Sequence, residues 1–319
     1  MSLQSLLGKY KKPGGISGVS GASGADKRPR ADDGGADAPR GKRAVQAPSS
    51  SSSTKQSRVL TVEGKAKFGF ADPSITSEGD LAVIGRRCKT DKVSHHGYYR
   101  FYPRFLEHLR SPSVCGGRGM LEIGIDESHS LETWLQYFPK SFIYGIDIGV
   151  ELDGERHRIF QADQSDREQL KSITEKRIKH EIFFIIDDGS HVPEHQVLSF
   201  DYLFDALLQP GGTYIIEDIE TSYWTKNGLY GYETRYGYKH GKSCIEAFKE
   251  LADDVNWEFM TGERRAEHLS SPLGKLISAK TRAEVATVTF GMNCIVLTKK
   301  TPEEKELFDE RQYRFKKNL

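Results

Sequence analysis

Little in this chain points to an extracellular or membrane life. It holds four cysteines, Cys88, Cys115, Cys244 and Cys294, which are far apart and form no C-x-x-C pair. That spacing implies no zinc site and fits a reducing compartment better than a disulfide framework. The longest apolar runs are about five to seven residues, far short of the ~20 needed to span a bilayer. No secretory apolar segment is found. Also missing is G-x-G-x-x-G after the first expected strand, where the chain reads Gly124-Ile125-Asp126-Glu127-Ser128-His129-Ser130. One glycine and two acids are a poor cradle for a pyrophosphate, which argues against a dinucleotide site.

Apolar content is also low in one long stretch. Residues 1–58 are dominated by Gly, Ser, Ala, Pro and Lys/Arg and include a serine run at Ser49–Ser53. Such a segment has too little apolar surface to offset the entropy of ordering it, so a disordered tail is expected. It holds 11 Lys/Arg against 4 Asp, leaving 35 basic and 41 acidic residues in the remainder. A near-neutral total of +1 therefore conceals a basic tail on a mildly acidic body. Within the tail, Lys27-Arg28-Pro29-Arg30 and Arg40-Gly41-Lys42-Arg43 have the form of a two-part nuclear import signal. The acid-free first 25 residues resemble an organellar transit segment, and Gln4–Tyr10 resembles a sliding-clamp peptide lacking its second aromatic. A solubilising extension is the simplest reading. The expected location is intracellular, cytoplasmic or nuclear.

Beyond the tail, strands alternate with helices. Tyr98–Arg110 has helical spacing and reads as part of an extension, residues 59–110, packed on the core. Expected strands are Gly119–Ile125, Phe142–Asp147, Arg158–Asp163, Phe183–Asp188 and Thr213–Glu217. Helices are expected through Leu131 and Trp134, near Asp166–Glu175, over Pro193–Leu208 and over Ile245–Val255. Glu284–Phe290 and Asn293–Lys299 read as a closing hairpin around Gly291-Met292. The pattern predicts an α/β fold with a doubly wound, mostly parallel sheet over 111–302 and a charged tail over 303–319. An antiparallel hairpin ending such a sheet is the class I methyltransferase arrangement.

The chemistry gathers at strand ends. Ile185-Ile186-Asp187-Asp188-Gly189-Ser190-His191 and Tyr214-Ile215-Ile216-Glu217-Asp218-Ile219-Glu220 are apolar runs that stop abruptly in carboxylates. Buried parallel strands emerge in this way, and ligands bind open α/β sheets at that edge. Three oxygen ligands beside a histidine suggest a hard divalent cation with an adjacent base. Strand alternation turns Asp187 away from Asp188, while Glu220 is ambiguous. Nearer the start, Glu122-Ile123-Gly124 leads into a helix and can present backbone N–H groups to a ligand. Asp147, 23 residues after Gly124, is placed to accept bonds from ribose hydroxyls. Asp163 and Gln164 would face an adenine. A cationic sulfonium ligand without phosphates, S-adenosylmethionine, suits the acidic loop.

Taken together, Leu121-Glu122-Ile123-Gly124, Gly145-Ile146-Asp147-Ile148, Asp163-Gln164-Ser165-Asp166, Asp187–His191 and Glu217–Trp224 resemble the motifs of one family. It comprises the magnesium- and S-adenosylmethionine-dependent O-methyltransferases of the macrolide sugar type, with the related cephalosporin hydroxylase-like proteins. Thr90-Asp91-Lys92, His96-Gly97-Tyr98 and Tyr102 extend the match upstream. The resemblance covers about residues 85–300. It implies Asp188, Glu217 and Asp218 as Mg²⁺ ligands, His191 as general base, Asp147 on the ribose, Asp163 and Gln164 near the adenine, and Gly124, after Glu122, near the methionine. Relatives of this type carry glycines where this chain has Ser128 and His129, so those side chains are expected to narrow the cofactor pocket.

The loop Tyr223–Lys242, rich in Tyr and Gly, reads either as a substrate lid or as a surface loop anchored by its aromatics. The expected acceptor is a hydroxylated small molecule such as a sugar or glycoside. No membrane partner is expected. Nucleic acid is not expected for the folded body, which lacks a basic stripe, and self-association is left open. Two further readings stand beside this one: a protein or nucleic-acid methyltransferase targeted by the basic tail, and an inactive relative that serves as a binding module.

Overall fold

The computed structural model describes residues 80–225, 234–271 and 276–307. The tail motifs expected within residues 4–58, including the basic clusters at 27–43, lie outside the described residues, as do Tyr230 and Tyr232 of the expected lid.

Eight strands form one sheet. They are β1 (Gly119–Ile123), β2 (Phe142–Asp147), β3 (Leu152–Gly154), β4 (His157–Gln161), β5 (Ile182–Asp187), β6 (Leu208–Glu217), β7 (Val285–Gly291) and β8 (Cys294–Lys299). The order is β3-β4-β2-β1-β5-β6-β8-β7. β4, β2, β1, β5 and β6 run parallel, while β8 and β7 close one edge as an antiparallel hairpin. The short β3 pairs antiparallel with β4 at the other edge. It was not anticipated, because three residues with two acids or glycines in and around them carry no apolar alternation.

The central strands are nearly continuous apolar runs because helices cover both faces. Every residue of β1 and β5 is buried. Phe200 and Phe204, on the helix Pro193–Ala206, pack against Tyr214 of β6, and Phe200 also meets Phe248 of the helix Cys244–Val255. Lys299 at the end of β8 is buried and donates to the carbonyls of Phe204 at 2.7 Å and Leu208 at 2.8 Å. Its ammonium thus satisfies carbonyls left open where that helix ends.

Helix starts follow local chemistry. Asp166 accepts from the Glu168 and Gln169 N–H groups to begin Arg167–Lys176, and Ser243 caps Cys244–Val255 in the same way. The expected helix over Tyr98–Arg110 is broken into a 3-10 turn at Tyr98–Arg100, a single turn at Pro103–Leu106 and another 3-10 turn at His108–Arg110. Pro103 has no N–H to continue a helix from the preceding turn, and the apolar spacing alone concealed that break. The upstream helix Leu81–Cys88 packs on the helix His129–Tyr137.

No helix among the described residues is long and apolar enough to cross a membrane.

Phe200 is fully buried among aromatic neighbours. Phe200→Ala should therefore lower unfolding stability by about 3–5 kcal/mol, read as a reduced urea midpoint with a well-formed far-UV spectrum retained.

Candidate active site

The parallel register brings the carboxyl ends of β1, β2, β4, β5 and β6 to one rim: Ile123 lies opposite Ile146 and Asp187, Asp187 opposite Ile216, and Asp147 opposite Gln161. A cavity of about 690 Å³ opens there. Gly124, Asp147, Asp163, Gln164, Asp188, His191 and Asp218 all line it, as do His129, Ser130 and His195. Seven of the nine residues expected at a site therefore converge on one crevice. Glu122 and Glu217 do not reach it.

At one end, Asp188, His191 and Asp218 each offer a ligand atom within 4.8 Å of the others. His191 Nε2 is 3.6 Å from Asp218 Oδ2. Both His191 and Asp218 adopt left-handed backbone angles, φ 55° and 52°, which are uncommon outside glycine. Such angles let the chain reverse sharply after β5 and β6 and return its side chains to the rim. Thr221 Oγ1 donates to the His191 carbonyl at 2.6 Å, tying the two reversals together. Two carboxylates and an imidazole suit a divalent cation.

Glu217 was expected to be the third ligand. Its side chain is buried under the rim, where Tyr102 donates to Oε1 at 2.5 Å and the Lys92 ammonium to Oε2 at 2.6 Å. Register sets Glu217 beside Asp188 on one face of the sheet, but Glu217 lies deeper, with 1% of its side chain exposed against 20% for Asp188. Lys92 also pairs with Asp188 Oδ2 and lies 3.6 Å from Glu122 Oε1. Burial alone would lower the Lys92 pKa, but Asp188, Glu217 and Glu122 hold it well above its usual value, as a fixed ammonium. Burial pushes Glu217 up, and Lys92 opposes it. Burial and then the neighbouring Asp188 raise Asp218, while His191 and His96 act against them.

Glu122, expected beside the cofactor, is completely buried and accepts from Ser130 Oγ at 2.9 Å and Trp134 Nε1 at 3.1 Å. Burial raises its carboxyl to about 7, with Lys92 pulling the other way. It is part of the framework beneath the pocket.

Gly124 takes φ 84°, and a Cβ there would run into the Asp188 carbonyl. The close approach it permits is thus between the ends of β1 and β5, sealed by the bond from Asp188 N to the Ile123 carbonyl at 2.9 Å. Asp147 accepts four backbone N–H bonds: Ile125 at 2.8 Å and Asp126 at 3.2 Å on one oxygen, Gly149 at 2.7 Å and Val150 at 2.9 Å on the other. It fixes both loops that wall the pocket. Asp163 accepts from Ser165 through both N–H and hydroxyl, which lowers its pKa. The Gln164 amide donates to Asp187 at 3.0 Å and accepts from Ser190 N at 2.6 Å.

Asp187 lies on the far side from Asp188, held by Gln164 and by Ser199 Oγ at 2.6 Å, and burial lifts it to about 6. Ser128 is buried and absent from the cavity wall, whereas His129 does line it. Of the two side chains expected to narrow the pocket, only His129 is placed to do so.

Several residues were given no role from the sequence. Lys92, Tyr98 and Tyr102 are nearly or fully buried. His96 stacks on Tyr98, with ring centroids 5.0 Å apart and planes 9° apart, and its Nδ1 is 3.7 Å from Asp218 Oδ1. They stood in the upstream motif without a role, because the carboxylates that Lys92, Tyr98 and Tyr102 meet, on Glu217 and Asp218, are 115–125 residues away in sequence. Asn293, read from the sequence as the first residue of the second hairpin strand, lies in the turn between β7 and β8.

A mostly parallel seven-plus-one-strand sheet ending in an antiparallel hairpin, with its pocket at the strand carboxyl ends, is the class I methyltransferase fold. No family model matches the chain. It is 36% identical over 189 residues to 8-demethyl-8-alpha-L-rhamnosyl tetracenomycin-C 2'-O-methyltransferase of Streptomyces olivaceus, covering 55% of this chain and 46% of that protein. It is 33% identical over 226 residues to the 8-demethyl-8-(2-methoxy-alpha-L-rhamnosyl)-tetracenomycin-C 3'-O-methyltransferase of the same organism, covering 67% of this chain and 55% of that one. L-olivosyl-oleandolide 3-O-methyltransferase of Streptomyces antibioticus is 34% identical over 191 residues, 56% of this chain and 46% of the relative. The chain spans about half the length of the curated relatives it matches. Among solved structures, MycE methyltransferase from the mycinamycin pathway, in complex with Mg, SAH and mycinamycin VI, superposes with a TM-score of 0.56 at 28% identity, covering 70% of this chain and 54% of that one. The chain is a homologue of the sugar O-methyltransferases.

Removing the Lys92 charge leaves two buried carboxylates, Glu122 and Glu217, and the half-buried Asp188 without their shared cation. Lys92→Met should cost about 3–5 kcal/mol, the range for breaking a buried ion pair. The check is a urea titration at pH 7; an unchanged midpoint would show that the ammonium is not holding the three strands' carboxylates together.

Proposed function

We propose that this protein is an S-adenosylmethionine-dependent, divalent-metal-dependent O-methyltransferase whose acceptor is a hydroxyl on a sugar of a small glycosylated molecule. The observation that carries the reading is the junction of two features in one cavity. Asp188, His191 and Asp218 gather at one end, and the β1, β2 and β4 loops with Gly124, Asp147 and Asp163 wall the rest. Homology to sugar O-methyltransferases, and the Mg and SAH held by MycE, support assigning these two regions to metal and methyl donor.

The donor set fits a hard divalent ion. Lys92 meets Glu122, Asp188 and Glu217, whereas Asp218 faces the imidazoles of His96 and His191, so Asp188 and Asp218 supply oxygen donors at the cavity. Asp188 and Asp218 would hold the ion, and Glu217 braces Asp188 through Lys92. When bound, such an ion lowers the pKa of a coordinated hydroxyl and orients a vicinal diol. Methyl transfer to oxygen is an in-line displacement in which the C–S bond breaks as the C–O bond forms. The chain's own tasks are to align the acceptor and remove its proton.

His191 is assigned the second task. Its Nε2 stands beside Asp218, which would stabilise the imidazolium after proton uptake. Asp147 and Asp163 would line the nucleoside part of the pocket, with Gln164 bracing the floor. Tyr223 and Tyr238 are exposed, with ring centroids 5.8 Å apart, and would offer faces for a sugar ring.

The test is methyl transfer from labelled S-adenosylmethionine to rhamnosylated and other deoxysugar glycosides, with and without Mg²⁺. Chelation should abolish turnover and added Mg²⁺ restore it. His191→Ala should lower kcat by about 10²–10⁴ with S-adenosylhomocysteine binding retained. Asp188→Ala should remove the metal dependence together with the activity. Full turnover in the presence of chelator would sink the metal reading, and wild-type kcat in His191→Ala would remove the base.

A further inference from the structure

We propose that Asn293, supported by the Tyr98 hydroxyl, is a positioning residue that fixes which oxygen of Asp218 faces the ligand cluster. The inference rests on the metal reading above and extends it to a residue in the C-terminal hairpin, 75 positions away in sequence.

The geometry begins with register. Glu217 pairs with Cys294 between β6 and β8, so the next residue on one strand, Asp218, and the preceding one on the other, Asn293, face each other as the strands end. Both carry left-handed backbone angles, φ 52° and 60°. Asparagine tolerates that conformation better than most residues, and the side chain it places there is used at both ends. Its Nδ2 donates to Asp218 Oδ1 at 2.8 Å, and its Oδ1 accepts from Glu220 N at 3.0 Å. Its carbonyl accepts from Tyr98 Oη at 3.2 Å and from Ile219 N at 3.5 Å.

Asn293 therefore holds the chain on both sides of Asp218 as well as the carboxylate itself. Tyr98 Oη adds a second contact to the same Oδ1 at 3.3 Å. With Oδ1 held by the Asn293 amide and sharing the single Tyr98 hydroxyl proton with the Asn293 carbonyl, Oδ2 is the oxygen on the side of His191, 3.6 Å from its Nε2. Without the amide, Asp218 Oδ1 loses its donor at 2.8 Å, and the left-handed loop loses the acceptor for Glu220 N–H. Partners that orient a ligating group in this way are worth about 10–100-fold in metal affinity.

The experiment uses the full-length protein and Mn²⁺, with free Mn²⁺ followed by electron paramagnetic resonance, and S-adenosylhomocysteine binding followed by calorimetry. Asn293→Gly keeps the left-handed backbone accessible and deletes only the amide. It is expected to weaken Mn²⁺ binding about 10-fold or more, with an altered spectrum of the bound ion and unchanged S-adenosylhomocysteine affinity. Tyr98→Phe should weaken Mn²⁺ binding to a smaller degree. If Asn293→Gly does not fold, Asn293→Asp replaces it: it keeps the acceptor for Glu220 N–H and cannot donate to Asp218, and a wild-type bound-Mn²⁺ spectrum there would overturn the proposal. Equal Mn²⁺ affinity in wild type and Asn293→Gly overturns the positioning role alone. A wild-type protein that binds no Mn²⁺ overturns the metal reading and this assignment together.

Discussion

The Lys92 ammonium, enclosed by carboxylates from three strands, is the interaction on which the site's architecture depends. Glu122 comes from β1, Asp188 follows β5 and Glu217 ends β6. Glu122 and Glu217, with 0% and 1% of their side chains exposed, would lose hydration and repel each other and Asp188 with nothing in return. The buried cation makes their convergence tolerable, and it does so from outside the sheet, on the turn at Asp91–Ser94. The segment upstream of the sheet is thus electrostatically part of the site as well as a covering for it. Tyr102, donating to the second oxygen of Glu217, completes the same arrangement.

Division of labour among neighbouring acids follows from sheet face and depth. At the end of β5, Asp187 turns inward to Gln164 and Ser199, and Asp188 turns to the rim. At the end of β6, Glu217 turns inward to Lys92, and Asp218 turns to the rim. Register places Asp188, Glu217 and Glu122 on one face of the sheet, where all three meet Lys92, and Asp187 on the other. Glu122 also accepts from Trp134 and Ser130.

Much of this was legible in the sequence. Apolar runs ending in acids marked five parallel strands and the rim where Asp188, His191 and Asp218 meet. Alternation separated Asp187 from Asp188 correctly. The strand-end acids Asp188, Glu217 and Asp218 were grouped as three oxygen ligands, and register does set Glu217 on the face of Asp188. What could not be read were contacts between distant segments: the lysine that neutralises acids 96 and 125 residues away, and the hairpin asparagine against Asp218. Local pattern reports which face a residue occupies, whereas the partner on that face is chosen by topology. β3 and the break at Pro103 escaped for a different reason, since short elements have too few residues for a period to show.

The fourfold bonding of Asp147 bears on how the pocket would meet its ligand. One carboxylate gathers the N–H groups of both the β1 and β2 loops, so the two walls on that side are joined to a single charge. Both loops are ordered by bonds within the chain. A nucleoside entering there meets a surface that is set in advance, and its binding free energy is not drained by ordering the loops. The opposite wall, built on the reversed backbone at His191 and Asp218, has no such internal charge anchor and leans on neighbours from other segments. The cavity therefore has one rigid side and one side whose shape is held from a distance.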